Sequence, residues 1–425
     1  MTSLNSSLRF PTTSIFKDIT VEKSSDGFVI KTKNEQFKIN EFNPILAKVL
    51  SRLQIEHKLS NSIFGPTPPS AFVGEYGYPN VLAGPMVDVS QDTNPSLNEP
   101  SNWFSSNNQN EQTYWKIIES RSNLVRGKYS VNVKNPGKFT EQIQESAASV
   151  KPVDLEIDFL KAPKFSIYFS SVALPNGPSG TLNEFRISSN PSIPRIVDEL
   201  KEDKLLTNQA VSLMLEKGHD VYYIQKLLSV GMLGKSPKMV PTKWSITASD
   251  DIVGKLLLKQ VRLLDEFNEF YLYSNYAFGN NFQIILTPGS FEFEQFEAWD
   301  KNTPWGNEKS VPIEYDYEGF TGRTKYSTSE GGGYYAGRLS CLKHLLRINK
   351  QAKVTIIREI NSDYLVSLGV AQVRENVAQA LNSKPIKFSN SSDLFSHLSS
   401  KLSRNPNEYL FKSRILSQKR LSNWF

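Results

Sequence analysis

Three stretches of this chain carry residue types at spacings that could act on a phosphate. In the first, Thr328-Ser329-Glu330-Gly331-Gly332-Gly333, a glycine triplet runs directly into a helix-forming segment. A flexible backbone at a helix N-terminus exposes unpaired N–H groups and the positive end of the dipole, which together suit a phosphate. Arg323 and Lys325 precede the triplet, Arg338 follows one turn into the helix, and Tyr334 and Tyr335 could stack on a base or ribose. Close helix packing or a plain turn accounts for three glycines equally well. The second stretch, residues 242–251, places Lys243 beside Trp244 and ends on Asp250 and Asp251. Ser249 or Thr247 can cap a following helix whose first turn would hold both aspartates. Alternatively, Asp250 and Asp251 with Asp154 and Glu156 could bind a divalent metal such as Mg²⁺ for phosphoryl chemistry, as carboxylate oxygens do. The third stretch, Arg121-Ser122-Asn123-Leu124-Val125-Arg126-Gly127 with Lys128, offers paired arginines near a helix end. They could bridge phosphates or pair with Glu119 at the surface.

Composition narrows what these residues can be. The chain has 425 residues, 39% hydrophobic and 22% charged, enough for more than one core. A net charge of +6 permits nucleic-acid contact without demanding it. The single cysteine, Cys341, excludes an internal disulfide and any multi-thiolate zinc or iron–sulfur site within one chain. His57, His219, His344 and His397 match no paired-ligand spacing and read as structural. Gly231-Met232-Leu233-Gly234-Lys235-Ser236 ends like a Walker A loop, but Ser229 stands where the first glycine belongs and Pro237 obstructs the helix that should follow. There is no eighteen-residue apolar run, and Met1 to Ser7 has no basic region leading into an apolar core. The expectation is a cytoplasmic, nucleoid-associated protein that neither spans a membrane nor is secreted.

At the other end, Gln418, Leu421, Trp424 and Phe425 spell Q-x-x-L-x-x-W-F. In one helical or 3₁₀ turn the three apolar side chains project together as a plug, with Gln418 a turn earlier. The pattern resembles the PCNA-interacting peptide by which replication and repair proteins dock on the sliding clamp, and Lys412, Arg414, Lys419 and Arg420 suit an acidic clamp surface. The competing reading folds these aromatics back onto the parent body.

The elements that must position these groups can be read in outline. Phe28–Thr32 and Gln36–Ile39 alternate as a hairpin, and an amphipathic helix follows from about Pro44 to His57. Residues 63–80 are too rich in proline and glycine for a helix, yet Phe72, Val73, Tyr76 and Tyr78 are too apolar for a floppy linker. Helices are expected at 208–217 and 221–230, where the glycine turn invites a helix-turn-helix reading that few basic side chains support. A long helix should follow Asp251, then a hairpin at 269–286, a strand near 313–317, a helix at 334–349, a buried strand at 354–357, and helices at 368–381 and 393–402. The mixture without regular alternation predicts an α+β fold, an irregular mixed sheet with flanking helices. Its two closely packed parts would be residues 1–290 and 291–405, followed by a flexible tail over 406–425.

Taken together, several blocks of the chain resemble the archaeal Nre proteins. They are residues 64–85, 121–127, 151–156, 240–251, 331–339 and 369–375. The resemblance covers most of the chain from about residue 60 onward and implies a DNA repair or damage-response factor, with the clamp-binding tail as a family feature. Many members carry an N-terminal cysteine cluster that looks like a zinc site; this chain has none, so no structural zinc is expected. Three readings stay open: a repair factor tethered to PCNA that meets DNA directly or through the clamp, an enzyme that processes a nucleotide or DNA phosphate, and a non-catalytic adaptor.

Overall fold

The hairpin expected from Phe28 to Ile39 forms, as β2 (Gly27–Lys31) and β3 (Gln36–Ile39), with Phe28 opposite Ile39. β1 (Thr20–Ser24) pairs with the other edge of β2 to complete a three-stranded antiparallel sheet. A computed structural model describes residues 20–24, 27–31, 36–39 and 59–417, apart from 69, 91–94, 106–110, 135–136, 164–169, 171 and 301–311. The helix expected from Pro44 to His57 and the tail residues Gln418, Leu421, Trp424 and Phe425 lie outside the described residues. The small sheet belongs to one unit, Met1–Gln54, and everything below to a second, Ile55–Phe425.

In the second unit the proline- and glycine-rich stretch becomes sheet. β4 (Ser62–Thr67) alternates strictly between exposed and buried positions, and β5 (Ala71–Val73) pairs with β6 (Asn80–Asp88) across a turn containing a cis peptide before Pro79. After α1 (Glu111–Ser122) come β7 (Leu124–Asn132), α2 (Lys138–Ala148), β8 (Val153–Phe159) and β9 (Ser179–Ile187). The sheet order is β4-β8-β9-β7-β6-β5, antiparallel except for β7 against β9. Two glycines set its tightest approach. A Cβ at Gly84 would sit 2.2 Å from the carbonyl oxygen of Gly127, and one at Gly127 would sit 2.6 Å from Leu182. No side chain fits at either position, so β6 and β7 lie close enough for Arg126 and Lys128 of β7 to stand beside β5.

Four helices follow: α3 (Ile196–Asp203), α4 (Thr207–Glu216), α5 (Val221–Ser229) and α6 (Thr242–Val261). Asp220 caps α5 by accepting the Tyr223 N–H at 2.8 Å. The apolar stripe of α5, Val221, Ile224, Leu227 and Leu228, is buried in the core cluster under the first sheet.

α6 departs from expectation. It begins at Thr242, so Thr247 and Ser249 are not caps and Asp250 and Asp251 are mid-helix. The Ser249 hydroxyl, read as a capping group, is absorbed instead into back-bonding to the Ser245 carbonyl at 2.7 Å, as that of Ser245 is to the Thr242 carbonyl at 2.9 Å. α6 joins two cores, with Val253 in the cluster under the first sheet and Ile246, Leu258 and Val261 in that of the second. Burial on several sides explains why its polar residues gave a weak helical pattern.

The second six-stranded sheet takes strands from both sides of residue 290. It is built from β10 (Phe270–Ala277), β11 (Asn280–Thr287), β12 (Glu292–Trp299), β13 (Ile313–Glu318), β14 (Lys353–Ile360) and β15 (Ile386–Phe388), in the order β13-β12-β14-β11-β10-β15. Only β12 and β14 run parallel. Between and after these strands lie α7 (Gly332–Arg347), α8 (Gly369–Asn382), α9 (Ser391–Leu398) and α10 (Pro406–Leu410). α7 and α8 cover one face, where Val354 and Ile356 point, and α9 and α10 cover the other, where Ile357 meets Leu394, Leu398 and Tyr409. β14 is buried on both faces, so Val354, Ile356, Ile357 and Ile360 are apolar without strict alternation. The architecture is the expected α+β fold with mixed sheets and flanking helices. Among the described residues no helix is long and apolar enough to cross a membrane.

His344 on α7 supplies a pH-dependent element of this core. Arg347 donates to Nδ1 at 2.7 Å, and Nε2 lies 3.2 Å from the Tyr273 hydroxyl, so the neutral ring carries its proton on Nε2. Burial, then the nearby Arg347, pulls its pKa from 6.5 down to about 4. A depressed folded pKa gives stability that is present above the unfolded value and lost as pH falls through the folded one. Urea unfolding should therefore show stability falling between pH 6.5 and 4, by at most about 3 kcal/mol from this group. His344→Gln should flatten that part of the profile; an unchanged slope would exclude His344 as its source.

Candidate functional site

Two of the three candidate stretches, 121–128 and 242–251, converge with residues of other elements on one cavity of about 300 Å³. The turn after β5 contributes Phe72, Glu75 and Tyr76; the end of α1 contributes Arg121, and β7 contributes Arg126 and Lys128. From the start of α6 come Thr242, Lys243 and Ile246, and from α8 come Ala371 and Arg374. A neighbouring hollow of about 610 Å³ shares Asn98, Glu99, Tyr222 and Lys226 with it.

Strand and helix periods explain why these side chains meet. Arg126 and Lys128 are two apart on β7 and so share a face. Tyr222, Gln225, Lys226 and Ser229 of α5 fall at i, i+3, i+4 and i+7, a polar stripe beside the apolar one that anchors the helix. Thr242 ties α6 to the sheet by accepting the Val73 N–H at 2.9 Å.

The cations in the cavity differ in how they are compensated. Lys243 pairs with Glu75 at 2.6 Å, and Arg374 pairs with Asp250, donating from Nη2 at 2.5 Å. Arg126 lies over the Phe72 ring, 4.8 Å from its centroid. Arg121 is solvated by neutral acceptors, the Pro175 carbonyl and Asn176 Oδ1, each at 3.2 Å. Burial pulls its guanidinium down to about 10, opposed by Glu99 and reinforced by Arg126. Burial and then Arg126 lower Lys128, and burial lowers Lys226 against the pull of Glu99 and Asp220. Among the described residues none of Arg121, Lys128 and Lys226 makes an ion pair. Positive charge held in a concave, partly apolar site, with the nearest acids, Glu99 among them, beyond ion-pair contact, favours an incoming anion.

Around the same end of α6 lie aromatic rings open to solvent. Tyr76 is 83% exposed, Trp244 50% and Tyr78 44%, with the last two rings 5.8 Å apart.

The other predicted residues are placed differently. Gly331 precedes α7 with φ 55°, a backbone conformation that glycine adopts freely. A Cβ at Gly332 would lie 2.9 Å from Val370, and one at Gly337 2.2 Å from Gln295, so these two glycines serve close packing, whereas Gly333 has ordinary clearance. Tyr334 and Tyr335 are buried; Arg323 pairs with Asp316 at 3.1 Å, Lys325 is exposed, and Arg338 pairs with Glu318 and Asp251. The end of α7 faces acid: burial, then Glu297 and Asp316, pushes the Glu330 carboxyl well above its ordinary range. Asp154 and Glu156 lie on β8, opposite Pro66 and Phe64, while Asp250 and Asp251 are held by arginines on α6. Among the described residues no group of three or more His, Cys, Asp or Glu side chains is placed to hold a metal ion.

Sequence reasoning found Arg121, Arg126, Lys243 and Trp244 but missed Lys226, Tyr222 and Arg374. The stripe on α5 was a usable signal, since its polar members repeat with the helical period. Arg374 carried none, because its neighbours on α8 are core residues.

Fold and cavity together define an α+β protein with a cation-lined cavity beside exposed aromatic rings. The chain belongs to the archaeal Nre family: the family described as Archaeal Nre, N-terminal, matches residues 39–306, and Archaeal Nre, C-terminal, matches residues 318–424. It is 35% identical to DNA repair protein NreA of Archaeoglobus fulgidus over 82% of this chain and 87% of that protein. To DNA repair protein NreB of the same organism it is 32% identical, over 89% of this chain and 94% of that one. To DNA repair protein NreA of Haloferax volcanii it is 33% identical, over 75% and 78%. No solved structure matches the chain.

Proposed function

We propose that this protein is a DNA repair factor of the cytoplasm and nucleoid that docks on the PCNA clamp through Gln418, Leu421, Trp424 and Phe425 and meets DNA through the cationic cavity and its aromatic rim. The observation that carries the DNA contact is the set of cavity cations Arg121, Lys128 and Lys226, none of them in an ion pair among the described residues, beside exposed Tyr76, Tyr78 and Trp244. Cations supply affinity for phosphates and exposed rings stack on unpaired bases. The relatives' names support the repair role. For the tail, support comes from the Q-x-x-L-x-x-W-F spacing and from a family match that runs to residue 424. A clamp-tethered body works at high effective concentration, so a mild net charge of +6 suffices.

The test combines a clamp pull-down with anisotropy on labelled DNA at two salt concentrations. Removing residues 418–425 should abolish clamp recovery and leave DNA affinity unchanged. Lys128→Ala and Lys226→Ala should each weaken DNA binding uniformly across sequences and reduce the salt slope by about one. Equal clamp recovery without the tail would sink the docking half. Salt-independent DNA binding that both lysine variants retain would sink the other.

A further inference from the structure

We propose that the cavity takes a single nucleotide unit, its phosphate against Arg121 and Lys128 and its base in the apolar interior. The unit could arrive as a nucleotide extruded from DNA or as a free mononucleotide. The inference deepens the DNA reading above and rests on it only for the source of the ligand.

Size sets the first limit. About 300 Å³ is at the small end of ligand pockets, room for one nucleotide and far too little for a duplex. Polarity sets the second. Away from the cations the walls are apolar, with Val73, Leu82, Met86, Val172 and Leu174 among them, so an inorganic anion would leave most of the cavity without a partner. A flat base fills that part, and extrusion of one base is how proteins bring such a group out of a duplex. The third observation concerns hydrogen bonding. Ser70 lines the cavity with a buried hydroxyl that has no partner, and the amide of Gln225 shares the wall, whereas the Asn176 amide is committed to Arg121 and the Leu174 carbonyl. An orphaned hydroxyl with an amide on the same wall suits the polar edge of a base and does nothing for an alkyl chain. The Tyr222 hydroxyl, by contrast, is already committed, donating to Glu375 at 2.5 Å, and burial keeps it protonated.

The experiment uses the full chain. Thermal melting is followed with dAMP, dGMP, dCMP and TMP, with the matching nucleosides, with inorganic phosphate and with octyl phosphate. In parallel, a duplex carrying 2-aminopurine at a mismatch reports unstacking by its fluorescence. Mononucleotides should raise the melting temperature more than nucleosides or phosphate alone. Lys128→Met and Lys226→Met, which keep apolar stems, should fold normally and weaken mononucleotide binding about tenfold each, the loss expected for one charge-assisted contact.

A 2-aminopurine signal that Lys128→Met reduces supports extrusion from DNA; protection by mononucleotides without that signal supports the free nucleotide. Salt-dependent DNA binding with neither response overturns the cavity inference and leaves the repair reading standing. Mononucleotide binding with no DNA binding supports the cavity and removes the DNA reading. Protection by octyl phosphate alone overturns the base-binding interior.

Discussion

Asp250→Ala is expected to cost about 3–5 kcal/mol of folding stability, the loss typical of breaking a buried ion pair from one side. Both partners are desolvated: the side chains of Arg374 and Asp250 are 4% and 0% exposed. The guanidinium donates from Nε to Oδ1 at 3.2 Å and from Nη2 to Oδ2 at 2.5 Å, and lies over the Tyr222 ring at 4.7 Å. Burial pushes the Asp250 carboxyl above its ordinary range even beside Arg374, so the intact pair contributes little net stability. Its loss matters because Arg374 would remain buried without its acid. Asp250→Ala combined with Arg374→Leu should therefore be more stable than Asp250→Ala alone. Urea denaturation of the single and double variants measures this, and a single-variant cost below about 1 kcal/mol would contradict the account. Asp250→Asn, which keeps an acceptor, should cost less while altering the wall that Arg374 and Tyr222 present to the cavity.

This pair also shows what could be read from the chain. The strands of the second sheet were legible because β14 is apolar on both faces and the β10–β11 hairpin alternates. Asp250 was legible as a special residue, but not its role: it was weighed as a cap neighbour or a metal ligand, and its arginine lies 124 positions away. The same limit applies to the start of α6. Thr247 and Ser249 have capping chemistry, and only the packing of two cores around that helix decides that their hydroxyls stay inside it. The arginines of 121–128 were legible as phosphate candidates from type and spacing alone. What could not be read was that Arg121 and Lys128 would be desolvated without an ion-pair partner, because solvation is a property of the folded surroundings.

Arg338→Leu is expected to lose stability on the same scale, about 3–5 kcal/mol, with a different pattern of recovery. Arg338 is almost fully buried and bridges two carboxylates, Glu318 Oε2 at 2.9 Å and Asp251 Oδ1 at 2.8 Å. Burial lowers its guanidinium, and Glu318, Tyr334 and Asp251 together more than offset that, so it stays charged. The two acids are not equivalent. Asp251 keeps Lys255 at 2.6 Å and is 24% exposed, whereas the Glu318 side chain is 0% exposed and its other oxygen has no partner. Removing Arg338 therefore strands Glu318 far more than Asp251. Adding Glu318→Gln to Arg338→Leu should recover much of the loss, and adding Asp251→Asn should recover little. Equal recovery in the two double variants, read by urea denaturation, would mean that burial does not govern the site. The geometry that permits the bridge is the absence of a side chain at Gly254, where a Cβ would lie 3.1 Å from Arg338 Nη2. α6 and α7 can thus cross closely enough for the glycine-rich helix to hold α6, whose first turn carries Thr242, Lys243 and Ile246 into the cavity. On this view the glycine-rich segment acts on the ligand site through the placement of α6, and Arg338→Leu should loosen mononucleotide binding even where the protein remains folded.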